Sequence, residues 1–225
     1  MADEMTPEEI AAADEIEADH PPLLILEEHE SAARGLMGLV TSQPVAATCD
    51  TTYEAKRTSG TRPLSAITLI VMHSTEGSTA RGAASWFANP KSKGSAHLCV
   101  DDNICFRTLK DTQIPWGAKG TNYSGFHIEQ AGYAKWTSYI WSKTHRNTLN
   151  RAAFKTALHC KRYGIPVRWV AAGGLRLGVS GITSHNECSK AFGGTHWDPG
   201  SGWPRVLFLT LVRGYLLKIK VRKIA

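Results

Sequence analysis

Three side chains in this sequence have the types and the settings to hold a cation. His73 closes the β-branched run Ile67-Thr-Leu-Ile-Val-Met-His73, and His185 closes the shorter run Gly181-Ile-Thr-Ser-His185. Asp198 lies thirteen residues beyond His185, in the turn sequence Thr195-His-Trp-Asp-Pro-Gly200. Two imidazoles and a carboxylate suit zinc, and three protein ligands leave a fourth tetrahedral position for water, as in catalytic zinc sites. A competing set, His185, Cys188 and His196, would be a softer nitrogen and sulfur site that leaves His73 unused. Taken singly, each histidine is more often structural; two strand ends together with Asp-Pro-Gly favour the first set. Two more residues could act beside such a cation. Glu129, within Phe126-His-Ile-Glu-Gln-Ala131, would be a general base if burial tunes it, or else the ion-pair partner of a nearby Lys or Arg. His196 could donate to a developing oxyanion, orient a ligand, or serve only the turn.

The elements that must position these residues follow from periodicity. Strand ends are where α/β sheets gather ligands, so histidines that end strands are informative. The run ending at His73 reads as a strand, and Ser78 or Thr79 caps a helix with Ala80, Ala83, Ala84 and Phe87 on one face, stopped by Asn89-Pro90. Ala96–Val100 and Ile104–Thr108, separated by Asp101-Asp-Asn103, read as a β-hairpin. In Phe126–Ala131 a period of two puts His127 and Glu129 on one face, with Phe126 and Ile128 on the other. Leu149, Ala152, Ala153, Ala157 and Cys160 recur at helical spacing before Gly164, Pro166–Val170 reads as a short strand, and a last helix from Pro204 presents Leu207, Leu211 and Tyr215. The expectation is an α/β domain, a mixed central β-sheet with helices packed on it, over residues 63–217. Residues 1–62 read as an extension, with a helix start at Thr6-Pro-Glu-Glu9 and a linker over Thr41–Arg62; residues 218–225 form a basic tail.

Charge divides the chain. The first 30 residues carry eleven carboxylates and no Lys or Arg, while the rest carries 26 basic and nine acidic side chains, a net of +17. A body so basic is drawn to polyanions such as nucleic acid, anionic membranes or anionic wall polymers. No helix-turn-helix, zinc-finger or RNA-binding motif supports nucleic acid. The acidic segment either folds against the basic body and restrains it or acts as a disordered solubiliser. Five cysteines, an odd number without CxxC spacing, suggest neither a disulfide framework nor a four-cysteine zinc site, and synthesis in a reducing compartment fits. The N-terminus lacks the basic start and apolar core of a secretory signal, and no window reaches the roughly 20 apolar residues of a membrane span.

Taken in order, His73-Ser-Thr-Glu-Gly77, Gly94-Ser-Ala-His97, Trp116-Gly117, Ile128-Glu129, Gly181-Ile-Thr-Ser-His185 and His196-Trp-Asp-Pro-Gly200 resemble the zinc-dependent N-acetylmuramoyl-L-alanine amidases of type 2. That family is related in fold to peptidoglycan recognition proteins, and the match covers residues 63–217. Ala118-Lys-Gly-Thr-Asn122 and Ala191-Phe-Gly-Gly194 between the motifs look like amidase domains of endolysins from phages of actinobacteria. The resemblance implies hydrolysis of the amide between N-acetylmuramic acid and the L-alanine of the stem peptide. It places zinc on His73, His185 and Asp198, the catalytic carboxylate on Glu129, and oxyanion stabilisation on His196, where many members have a lysine. Some members have a tyrosine where this chain has Ala96, which leaves Glu129 as the base. Trp116, Trp197 and Asn122 are expected to contact substrate. The partners implied are peptidoglycan and anionic wall polymers, for a monomer made in the host cytoplasm and acting at the wall after release. The alternative is a non-catalytic peptidoglycan-binding module on the same fold.

Overall fold

The computed structural model describes Gly38 and residues 48–221. The helix expected after Thr6, the acidic segment and the tail beyond residue 221 lie outside the described residues.

Five strands form one sheet in the order β3-β2-β4-β1-β5: β1 Leu69–Ser74, β2 Leu98–Val100, β3 Cys105–Arg107, β4 Gly125–Gln130 and β5 Gly181–Ser184. Only β3 runs antiparallel, as the second arm of the expected hairpin. The other pairings are parallel, with β1 between β4 and β5. A parallel strand covered on both faces reads as continuous apolar sequence, and Leu69-Ile-Val-Met72 does so because all six residues of β1 are buried.

Alternation divides the sheet into two faces. Ile70, Met72, Leu98, Val100, Phe126, Ile128 and Ile182 point to one side, which helices α2 (Arg146–Tyr163) and α5 (Arg205–Val221) cover. The helices contribute fully buried Leu149, Ala152, Ala153, Ala157, Phe208, Leu211 and Val212. Complete burial of each large side chain there stabilises by about 1.5–3 kcal/mol relative to exposure. Gly164, at φ +68°, ends α2 in the left-handed turn that favours glycine. On the other side, α1 (Ala80–Ala88) packs Ala80, Ala84 and Phe87 against Cys99 and Phe106. Its start is capped as the sequence suggests, Thr79 Oγ1 accepting from the Gly82 N–H at 3.1 Å. Two short helices, α3 (Ala172–Arg176) and α4 (His185–Phe192), were not foreseen; they cover Leu69 and Val71 through Leu175 and Cys188.

Three expectations are corrected. Pro166–Val170 is not a strand; Trp169 alone bridges to Ile182. Residues 48–62 are not a free linker: Asp50 pairs with Cys105 and Arg107 along the β3 edge, Ala55 N–H donates to Thr108 O at 2.9 Å, and the buried Arg62 guanidinium donates to the Asn122 and Tyr123 carbonyls. Cys49 and Cys105 form a disulfide where none was expected, fastening this segment to β3. Cys99, Cys160 and Cys188 are free and buried. Among the described residues no helix is long and apolar enough to cross a membrane.

Candidate metal centre and cleft

The parallel register determines where the chemistry sits. His73 and Glu129 are paired across β1 and β4, and His185 follows immediately on β5, the other neighbour of β1. All three therefore arrive at the C-terminal edge of the sheet, on the face between α1 and α4. His185 opens α4, whose first turn is capped by Ser184 Oγ accepting from the Glu187 N–H at 3.3 Å. Asp198 returns to this edge after α4 and is tied down twice. Its carbonyl accepts from the Asn186 N–H at 2.9 Å, and its Oδ2 accepts from the Ser74 N–H at 3.3 Å.

The donor atoms converge. His73 Nδ1 lies 3.1 Å from His185 Nδ1 and 3.4 Å from Asp198 Oδ2, and His185 Nδ1 lies 3.1 Å from Asp198 Oδ1. Among the described residues these three form a group able to hold a metal ion, with ligand atoms all within 4.8 Å of one another. The competing set does not assemble: Cys188 Sγ is buried against Thr121 Oγ1 at 3.3 Å. Burial alone would raise the Asp198 carboxyl, but hydrogen bonds from His185 and His73 outweigh it and hold it well below the usual carboxylate range. Burial pulls the His73 imidazole down, an effect its contact with Asp198 opposes.

Glu129 Oε1 stands 4.0 Å from His73 Nδ1, and its Oε2 is buried with no hydrogen-bond partner among the described residues. Burial, reinforced by the charges of Asp198 and Glu76, pushes this carboxyl well above its ordinary value. His196 stacks on His185 at 4.1 Å between ring centroids, with Nδ1 3.6 Å from Asp198 Oδ1, and remains largely exposed. It can therefore offer a proton donor at the mouth of the site.

The site opens into a cleft of about 940 Å³ whose walls include α1, Trp116, Lys91, Lys93 and Tyr133. A second arm of about 630 Å³ meets it at Trp116, His185 and His196 and carries Lys119 and Asn122. Trp116 lines both arms, its Nε1 donating to Ser59 Oγ at 2.7 Å. Asn122 reaches the second arm, yet its Oδ1 is used to fix a loop, accepting from Gly117 and Ala118 N–H at 3.0 and 2.8 Å. Trp197 is exposed and stands outside the walls of both arms, because His196 and Asp198 on either side of it turn towards His185. Sequence reasoning missed two residues. Glu76, at φ +48°, lines the cleft, its Oε1 accepting from Ser74 Oγ and the Ala134 N–H; its place in the His73-Ser-Thr-Glu-Gly motif was the available signal. His127 lies beneath His73, and its shared face with Glu129 was the signal.

Fold and site define a mixed α/β protein with a His-His-Asp cluster at the strand ends of an open cleft. The sequence profile of the family described as N-acetylmuramoyl-L-alanine amidase matches residues 63–201, and the chain belongs to that family. It is similar to the N-acetylmuramoyl-L-alanine amidase A of Achromobacter lyticus, 29% identical over 158 residues that cover 64% of this chain and 82% of that protein. Among solved structures, the Staphylococcus aureus hydrolase AmiA in complex with its ligand shares the fold with a TM-score of 0.64 at 19% identity, covering 86% of this chain and 94% of that one. The catalytic domain of XlyA follows with a TM-score of 0.51 at 16% identity, covering 74% of this chain and 99% of the other. By class the chain is a peptidoglycan amidase.

Proposed function

We propose that this chain is a zinc-dependent amidase cleaving the bond between the lactyl group of N-acetylmuramic acid and the L-alanine of the stem peptide, as a phage endolysin that reaches the host wall after release from the cytoplasm. The observation that carries the reading is the convergence of His73 Nδ1, His185 Nδ1 and Asp198 beside a buried, unpartnered Glu129 oxygen. The donor set fits zinc. Ligand atoms bonded at about 2.0–2.1 Å in a tetrahedron stand about 3.3 Å apart; the two Nδ1 atoms are 3.1 Å apart, and His73 and His185 reach different oxygens of the Asp198 carboxylate at 3.4 and 3.1 Å. When bound there, zinc supplies Lewis acidity to water and to the scissile carbonyl, and a positive charge that favours the ionised form of Glu129.

The remaining work belongs to side chains. His73, His185 and Asp198 hold the centre in place through β1, α4 and the backbone of Ser74. Glu129, half-buried in the wall of the cleft, takes the proton of the attacking water and returns it to the leaving amine, so one carboxyl serves both halves of the hydrolysis. His196 donates to the oxyanion of the tetrahedral intermediate from the exposed side. Trp116 offers a face for sugar or peptide, and Lys91, Lys93 and Lys119 make the rim basic towards the anionic wall. The phage role rests on the resemblance of the motifs to endolysin domains.

Mass spectrometry of purified peptidoglycan digested with and without a zinc chelator tests this. Free stem peptides beginning at L-alanine, absent under chelation, are expected. Intact peptidoglycan that still retains the protein would replace the reading with that of a binding module.

A further inference from the structure

We propose that His127 is a positioning residue for the metal centre, holding the His73 ring by its far nitrogen so that Nδ1 faces the cavity. The inference rests on the metal-site reading above and adds to it a residue that touches neither substrate nor cation.

The geometry is specific. His127 Nδ1 stands 3.0 Å from His73 Nε2, and both rings are buried, nearly parallel and 5.1 Å apart between centroids. A neutral imidazole has one donor and one acceptor nitrogen. If His73 is to bind a cation through Nδ1, its proton must sit on Nε2, and that N–H then needs an acceptor out of water's reach. His127 Nδ1 is that acceptor. The opposite arrangement, with His127 donating, would leave the proton on His73 Nδ1 and remove it as a ligand. The contact therefore fixes the orientation of the ligand ring, and with His127 as acceptor it supports the tautomer that a metal ligand needs.

His127 is itself held by its backbone and by close packing, although its ring Nε2 is buried with no hydrogen-bond partner among the described residues. Its backbone N–H donates to His97 Nδ1 at 3.0 Å. Its ring occupies space that two glycines leave free: a Cβ at Gly117 would come within 2.2 Å of Nδ1, and one at Gly125 within 2.6 Å of Nε2. Asn122 Oδ1 fixes the Gly117-Ala118 turn that covers the ring. A histidine needed only to fill the core would require neither this cradle nor a nitrogen aimed at His73; a leucine or phenylalanine would serve.

The test compares His127→Phe, which keeps the bulk and removes the acceptor, with His127→Asn, whose amide oxygen can reach the place of Nδ1. Zinc affinity is read by competition with a chromophoric chelator, alongside melting temperature and kcat. Loss of the acceptor is expected to weaken zinc binding roughly 10- to 100-fold in His127→Phe, while His127→Asn stays within a few-fold of wild type. Should His127→Phe fail to fold, His127→Gln, whose longer side chain carries the amide past Nδ1, takes its place with the same expected loss. Equal affinity in wild type and His127→Phe, or an asparagine variant as weak as the phenylalanine one, would overturn the proposal. Wild-type protein that binds no zinc would instead remove the metal-site reading on which it stands.

Discussion

Replacing Glu129 by glutamine isolates proton transfer from everything else the residue does. Glutamine has nearly the same volume, so no cavity opens in the wall between β1 and β4. The carboxyl lies among apolar and acidic neighbours, with one oxygen unpartnered and burial, Asp198 and Glu76 all favouring its protonated form. In the metal-free protein a neutral amide therefore replaces a group already held towards neutrality. The melting temperature should move by no more than about 4 °C, the shift that roughly 1 kcal/mol produces in a protein of this size. Zinc stoichiometry should also be unchanged, because Glu129 is outside the ligand trio. Catalysis should not survive. A positioned base contributes about 10²- to 10⁴-fold, or about 3–5 kcal/mol of barrier, and an amide cannot accept the proton. The assay is release of stem peptides from purified peptidoglycan at saturating substrate, with bound zinc measured on the same preparation. A zinc-loaded Glu129→Gln protein retaining kcat within about fivefold of wild type would show that the proton leaves by another route.

His159 is buried against Phe126, and burial pulls its imidazole from 6.5 down to about 4. The unfolded chain then binds a proton that the folded one refuses, so the stability is present above pH 6.5 and lost as pH falls towards 4, by about 3 kcal/mol at the limit. Denaturant unfolding of His159→Phe should show a flatter acid limb than wild type, and an identical limb would refute the assignment. Trp116→Ala should lower kcat/KM about tenfold through KM, for about 1–2 kcal/mol of lost apolar contact, whereas Trp197→Ala should leave both constants near wild type; equal losses would place Trp197 in the substrate path after all. Sedimentation with purified walls should show binding that weakens steeply between low and high salt, as a body of net +17 requires; salt-independent retention would exclude attraction to anionic wall polymers.

What the sequence reveals depends on whether a feature repeats locally. The strand runs ending at His73 and His185 and the helical spacing from Leu149 to Cys160 are local, and each appears as an element in the fold. Helix α4 was also legible: Ser184-His-Asn-Glu187 is a capping-box pattern, and Ser184 does cap Glu187. The strand run ending at His185 hides it, because the same residue is also the first of the next helix. The segment 48–62 left no trace, since it is held by backbone hydrogen bonds to β3 and to the 108–114 loop, which carry no side-chain period. The Cys49–Cys105 bridge depends on that placement, 56 residues apart in sequence, and so was equally hidden. The contact of His127 with His73 needed one more fact, the parallel register that sets Val71 beside His127. Alternation gives the face; only pairing gives the neighbour.

The nine carboxylates beyond residue 30 are distributed in a way that fits the proposed cation site. Three serve helix starts: Asp101 accepts from the Ala80 N–H, Asp102 from the Thr148 N–H and Glu187 from the Ala172 N–H. Asp111 is held by Arg107, Arg162 and the Tyr163 hydroxyl on the opposite face of the sheet. Three of the remainder, Glu76, Glu129 and Asp198, gather in one cleft, and the charges of Glu76 and Asp198 both act on Glu129. In a body with 26 basic residues, ion-pair partners for them are plentiful, yet none of the described ion pairs gives Glu129 or Asp198 a lysine or arginine. Their partners are histidines, whose charge burial suppresses at His73. In the metal-free cleft this leaves Asp198 ionised against the two histidines, while burial and the charges of Asp198 and Glu76 hold Glu129 towards its protonated form. A divalent ion held by His73, His185 and Asp198, as proposed above, would draw the Glu129 carboxyl back towards its ionised form, the form a general base requires.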